Sequence, residues 1–149
     1  MGDKQNQIQL DLRLFRIWIK ATTSLFKNIQ KDIEGYNLNF EYFMILELLY
    51  SKGPHPVQKI SETLSIPSGS ITYVVNKLEK LGLVERQSNP SDGRAFNVVL
   101  TEKGEALFNE IFPKHVATIS QNLSLISNEE KELLIELLKK IGIGAQSLQ

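Results

Sequence analysis

Apolar side chains recur at steps of three and four from about Leu10 to Ile33: Leu10, Leu14, Ile17, Trp18, Ala21, Leu25, Ile29 and Ile33. That spacing predicts an amphipathic helix. Leu12, Phe15, Ile19 and Phe26 widen the stripe beyond what one surface helix needs. The excess width points to a further partner, such as a second subunit. Gly35-Tyr36-Asn37 ends this helix, and Asn39 is a good N-cap for the next. Phe40 to Tyr50 is apolar on nearly every side and therefore belongs at the centre of a core.

Lys52-Gly53-Pro54-His55-Pro56 breaks the second helix, and His55 is read as a loop residue or a helix cap. Val57, Ile60, Leu64 and Ile66 mark a short third helix, followed by a turn at Ser65-Ile66-Pro67-Ser68. A fourth helix is expected from about Gly69 to Leu81, with Ser68 as N-cap and Ile71, Val74, Val75, Leu78 and Leu81 on its buried side. Two short helices joined by a tight turn, the second with a polar outer face, form a helix-turn-helix.

Gly82 stops the fourth helix. Leu83 to Gln87 then reads as a strand, a turn rich in Ser, Asn, Pro, Asp and Gly follows, and Phe96 to Leu100 returns as a second strand. Thr101 caps a long fifth helix with apolar positions Ala106, Leu107, Ile111, Val116, Ile119, Leu123 and Ile126. Pro113 lies inside it and predicts a kink or a break. Ser127-Asn128-Glu129-Glu130 is a capping box opening a last helix. Leu133, Leu134, Leu137, Leu138 and Ile141 form the inner side of that helix, and Gly142 and Gly144 are expected to end it. The fold class is mainly α, a winged helix-turn-helix with a two-stranded β-hairpin wing.

Composition narrows the chemistry. The 149 residues suit one domain with a real core, and no cysteine is present. A disulfide frame, a thiolate metal site and a thiol redox switch are therefore all excluded. The N-terminus alternates charge with hydrophobe and does not read as a signal peptide, no run approaches a membrane span, and a cytoplasmic protein is expected. Lys plus Arg (17) balances Asp plus Glu (17), so any affinity for a polyanion must come from local placement. The two histidines, His55 and His115, lie far apart in the sequence, and neither a Gly-rich phosphate loop nor a zinc spacing occurs. No cofactor is expected, and an all-α enzyme finds no convergent titratable groups.

The outer face of the fourth helix carries Ser68, Ser70, Thr72, Tyr73, Asn76, Lys77 and Lys80. Hydroxyls and an amide suit base edges in a major groove, while Lys77 and Lys80 suit phosphates. An ordinary solvated face would be richer in Glu and Lys. A protein-docking winged helix is the alternative, but it would present an apolar or acidic face here. Arg94 near the hairpin tip has the length and shape to enter a DNA minor groove, with Asp92 orienting it. The bland reading is an exposed Asp92–Arg94 ion pair of little consequence. Among the aromatic residues, mostly core, Phe15, Trp18, Phe43 and Phe112 together with His115 could line a cavity where the first, second and fifth helices meet. Such a cavity would suit a small, flat aromatic effector.

The order of these elements, and the run from Ser68 to Gly104 in particular, resembles the MarR family of bacterial transcription regulators. The markers are Leu78-Glu79, Gly82-Leu83-Val84, Arg86, Asn89-Pro90, Asp92-Gly93-Arg94 and Leu100-Thr101-Glu102-Lys103-Gly104. The resemblance covers nearly the whole chain. It implies one domain over 1–149, with a DNA-binding region at about 38–102 and dimerisation helices at about 8–34 and 103–145. It further implies a homodimer on a palindromic operator, released by a ligand or by oxidation. Arg94 matches the family's minor-groove arginine, Asp92 its acidic partner, and Ser70, Thr72 and Tyr73 fall on reading positions of the recognition helix. The family often has a basic residue where Tyr73 stands and an acidic one where Asn76 stands. Peroxide sensing through a thiol is excluded by the lack of cysteine. SGSITYVVNKLEK and IFPKH resemble the branch that represses quinone and catechol detoxification genes in Gram-positive bacteria.

Overall fold

The computed structural model describes residues 1–149 except Pro90 and the side chains of Asn89, Asp92 and Arg94. The chain runs α1 (Gly2–Glu34), α2 (Phe40–Lys52), β1 (His55–Pro56), α3 (Val57–Leu64), α4 (Ser68–Lys80), β2 (Val84–Asn89), β3 (Asp92–Leu100), α5 (Glu102–Asn122) and α6 (Asn128–Gln146). The mainly α winged-helix class stands, with one addition to the wing. His55 and Pro56 pair antiparallel with Val98 and Asn97, so the sheet has three strands in the order β1-β3-β2. A two-residue strand that follows one proline and contains another carries no alternation, and nothing local announced it.

Side-chain caps start α2, α5 and α6. The Asn39 side chain accepts from Tyr42 N, and Thr101 Oγ1 accepts from Gly104 N. Ser127 and Glu130 close a reciprocal capping box. Ser68 differs from expectation: it is the first residue of α4, Pro67 is the cap, and no side chain caps that end. Proline at such a position presets the backbone without needing a donor.

Other expectations shift at boundaries. No break occurs at Pro113: α5 continues through it, with Phe108 and Ile111 of the same helix buried. α6 continues past Gly142 and Gly144 to Gln146; each glycine disfavours a helix by only about 1 kcal/mol. The hairpin strands are longer than their apolar parts, since polar residues out to Asn89 and Asp92 still pair.

The core is centred on α2. Phe43, Ile45, Leu46 and Leu49 are buried against Ile60 of α3, Ile71, Val75 and Leu78 of α4, Val98 of β3 and Phe108 of α5. Phe43 and Phe108 stack with centroids 5.3 Å apart, and Tyr50 lies 5.4 Å from Phe108. Gly104 allows the closest approach: a Cβ there would sit 2.2 Å from the Leu83 carbonyl oxygen. Leu81, expected inside, is exposed, because the chain turns out of α4 there into Gly82 at φ +76.

α1 and α6 behave differently. Of α1 only Ile29 and Ile33 are buried, and α6 has no buried residue. The face of α6 expected to point inward is open in the single chain, with Leu133 60% and Leu137 46% exposed.

Candidate nucleic-acid interface

Burial of Ile71, Val74, Val75 and Leu78 fixes the rotation of α4 about its axis. A 3.6-residue period then leaves Ser68, Ser70, Thr72, Tyr73, Asn76 and Lys80 exposed, with Lys77 half-buried. All seven residues assigned to the outer face therefore lie on one continuous surface. Both ends of the helix are clamped. At the start, Ser61 Oγ donates to Ile66 O at 2.6 Å while Ile66 N donates to Ser61 O at 3.2 Å, holding the turn between α3 and α4. At the end, Lys103 Nζ donates to Leu81 O at 2.8 Å, a cation at the negative end of the helix.

The side chains on this face are partly committed already. Thr72 Oγ1 donates to Ser68 O at 3.0 Å, so its methyl group and its oxygen lone pairs remain for a ligand. Lys77 Nζ lies 5.4 Å from the centre of the Tyr73 ring, which is 62% exposed. The ammonium over the ring face gains from the quadrupole and holds the aromatic upright. Arg86 of β2 reaches across to α4, donating to Asn76 Oδ1 at 2.8 Å and pairing with Glu79 Oε1. Asn76, Glu79 and Lys80 line a groove of about 400 Å³.

Arg86 and Glu79 were missed as site residues. Their signal was legible: an arginine early in the strand that leaves the helix, and two acceptors one turn apart on that helix. The wing residues Asp92 and Arg94 lie on β3, but their side chains are outside the described residues, as is Pro90 of the turn.

The five residues expected around an effector cavity do not all meet. Phe43, Phe112 and His115 do: the His115 ring is 4.5 Å from Phe43 and 6.5 Å from Phe112. Trp18 is half-buried on α1, and Phe15 is 61% exposed on that helix. The stronger feature at this junction is Asp32, which sequence reasoning missed. Its carboxylate accepts from Tyr36 Oη at 2.7 Å, Thr118 Oγ1 at 3.1 Å and His115 Nδ1 at 3.0 Å. Burial first, then the hydrogen bond and charge of Asp32, push the Tyr36 hydroxyl up to about 12. Beside this cluster Asn28 Nδ2 donates to Asn122 Oδ1 at 2.7 Å. A cavity of about 420 Å³ between α1 and α5 is lined by Asn28, Lys31, Asp32, Thr118, Gln121 and Asn122, a polar set rather than the aromatic one. Among the described residues, no group of His, Cys, Asp and Glu is arranged to hold a metal, and no helix is long and apolar enough to cross a membrane.

Residues 38–96, from just before α2 through most of the wing, match the MarR family. The chain is 43% identical over 135 residues to the HTH-type transcriptional regulator MhqR of Bacillus subtilis, covering 91% of this chain and 93% of that one. This chain belongs to the MarR family. AbsC, a MarR family transcriptional regulator from Streptomyces coelicolor, has the same fold, with a TM-score of 0.83 and 22% identity over 91% of this chain and 94% of that one. Sco3205 from the same organism, solved in complex with DNA, superposes with a TM-score of 0.79 at 21% identity, covering 89% of this chain and 86% of that one. Those two likenesses concern the fold. On that fold, α3 and α4 form the helix-turn-helix, and β2 with β3 forms the wing.

Proposed function

We propose that this MarR-family transcription regulator binds a palindromic operator as a homodimer, acts as a repressor, and is released by a small aromatic or phenolic effector. The observation that carries the reading is the outer face of α4: hydroxyls, an aromatic, an amide and two lysines on one exposed surface beside a β-hairpin. Such a face combines base-edge hydrogen bonding with phosphate contacts. Asp92 and Arg94 add a minor-groove contact from the wing. The apolar faces that α1 and α6 leave open support a second copy, with 1–149 acting as one domain. About 38–102 forms its DNA-binding region, and about 8–34 with 103–145 its dimerisation helices. The effector reading rests on Phe43, Phe112 and His115, packed where α1, α2 and α5 meet, with Trp18 and Phe15 on the adjoining helix.

Selection from a randomised duplex library, followed by fluorescence anisotropy at fixed salt on the enriched duplex, tests the DNA reading. Arg94→Ala is expected to weaken binding by about 1–3 kcal/mol while its melting temperature stays unchanged. Lys77→Ala is expected to weaken all duplexes alike and to flatten the salt dependence. Undiminished affinity in a folded Arg94→Ala protein rejects the wing contact.

A further inference from the structure

The half-buried Arg86 side chain reaches from the wing onto the reading face of α4. Its guanidinium carries donors and no acceptor, so the Asn76 group facing it at 2.8 Å must be the amide oxygen. The same arginine pairs with Glu79, which fixes its direction and neutralises a carboxylate that would otherwise repel a phosphate. An amide is planar, with its NH₂ group directed away from its oxygen. Held by Arg86, Asn76 is exposed and lines a groove along α4 with Glu79 and Lys80. Arg86 takes one lone pair of the amide oxygen and fixes its direction, so the amide's opposite edge, with its N–H donors, is the one left for a ligand.

We propose that Arg86 is a positioning residue that makes Asn76 a donor-only reader, selecting guanine rather than adenine at the base it meets. A free asparagine reads adenine with both ends of its amide, the oxygen accepting from N6–H and the nitrogen donating to N7. With the oxygen engaged by Arg86, the amide matches an edge made of acceptors, and guanine presents two, O6 and N7, side by side. The inference rests on the reading of α4 as the DNA-contacting helix and deepens it. It assigns one specificity position and a side chain outside the helix that sets it.

The test is selection from a randomised duplex library with four proteins: the wild type, Asn76→Asp, Arg86→Ala and Glu79→Gln. The wild type should enrich a site with guanine at one position per half-site. Asn76→Asp keeps an oxygen for Arg86 but offers only acceptors, so that position should turn to cytosine, whose N4 is a donor, by about tenfold. Arg86→Ala frees the amide oxygen, and the same position should turn to adenine while the other positions keep their preference. Glu79→Gln keeps an oxygen for Arg86 but loses the charge that fixes its direction, so the guanine preference should weaken without turning to another base. Asn76→Asp is isosteric and exposed, so it remains decisive if Arg86→Ala fails to fold. No enriched duplex with the wild type sinks the DNA reading itself and this inference with it. Enrichment whose base preferences are identical in the wild type and Asn76→Asp overturns the role of Arg86 and Asn76 alone.

Discussion

α4 and α6 are both amphipathic helices with leucine or isoleucine at the expected spacing, yet one buries that face and the other does not. In α4, Ile71, Val75 and Leu78 are sealed against α2, whereas in α6 Leu133, Leu134, Leu137, Leu138 and Ile141 all remain exposed. The difference lies in what holds each helix. α4 is positioned by the chain's own core and has no side-chain cap at its start; α6 carries a full capping box and packs on little. In the proposed homodimer, this leucine-rich face of α6 is what the second copy would cover.

The sharpest way to break that comparison is to remove apolar mass from each region. Phe108→Ala empties a fully buried site between Phe43 and Tyr50 and should lower unfolding free energy by about 3–5 kcal/mol, measured by urea denaturation. Leu137→Asp should leave the protomer within about 0.5 kcal/mol of wild type, as exposed substitutions usually do. It should nonetheless halve the mass seen by light scattering at micromolar concentration. A wild-type protein already monomeric there would end the account of α6 as an interface.

Glycines sharpen the contrast at smaller amplitude. Gly104→Ala drives a methyl into the Leu83 carbonyl and the Leu100 side chain and should destabilise by roughly 1–3 kcal/mol. At Gly142 nothing lies within 4 Å of an added Cβ, so Gly142→Ala should stabilise α6 by about 0.5–1 kcal/mol. Thermal melts of the two variants should move in opposite directions. A loss at Gly142 would place a close neighbour there that the single chain does not contain.

The smallest effect at ordinary pH concerns the Asp32 junction. Tyr36 titrates near 10 unfolded and about 12 folded, so the folded state holds its proton more tightly. Its stabilising contribution is fully present below pH 10 and is lost as pH rises towards 12. Melts of the wild type should fall across that window, and Tyr36→Phe should lose that component of the slope. Equal slopes in the two proteins would mean that folding does not raise the Tyr36 pKa.

Element order and the rotation of α4 were legible in the sequence because hydrophobic period and caps are local properties. Asn39, Thr101 and the Ser127 box declared their helices, and the Ile71-Val74-Val75-Leu78 stripe fixed which residues of α4 face out. Contacts between distant segments were not legible in the same way. β1 exists only because β3 returns beside it, and Asp32 gains its role from His115 and Thr118, more than eighty positions away.

α5 begins under the wing, where Thr101 Oγ1 donates to the Gly82 carbonyl, and its other end meets α1 through Asn28 and Asn122. Its 21 residues form one uninterrupted rod about 30 Å long. A rod fixed at both ends works as the arm of a caliper. A tilt of about 10° at the Asn122 end would carry the wing end through about 5 Å, close to the rise of a full helical turn. Successive major grooves on one side of a duplex repeat about every 34 Å. On the proposed DNA-binding reading, such a shift would move α4, which Lys103 ties to the start of α5, by about a seventh of that repeat.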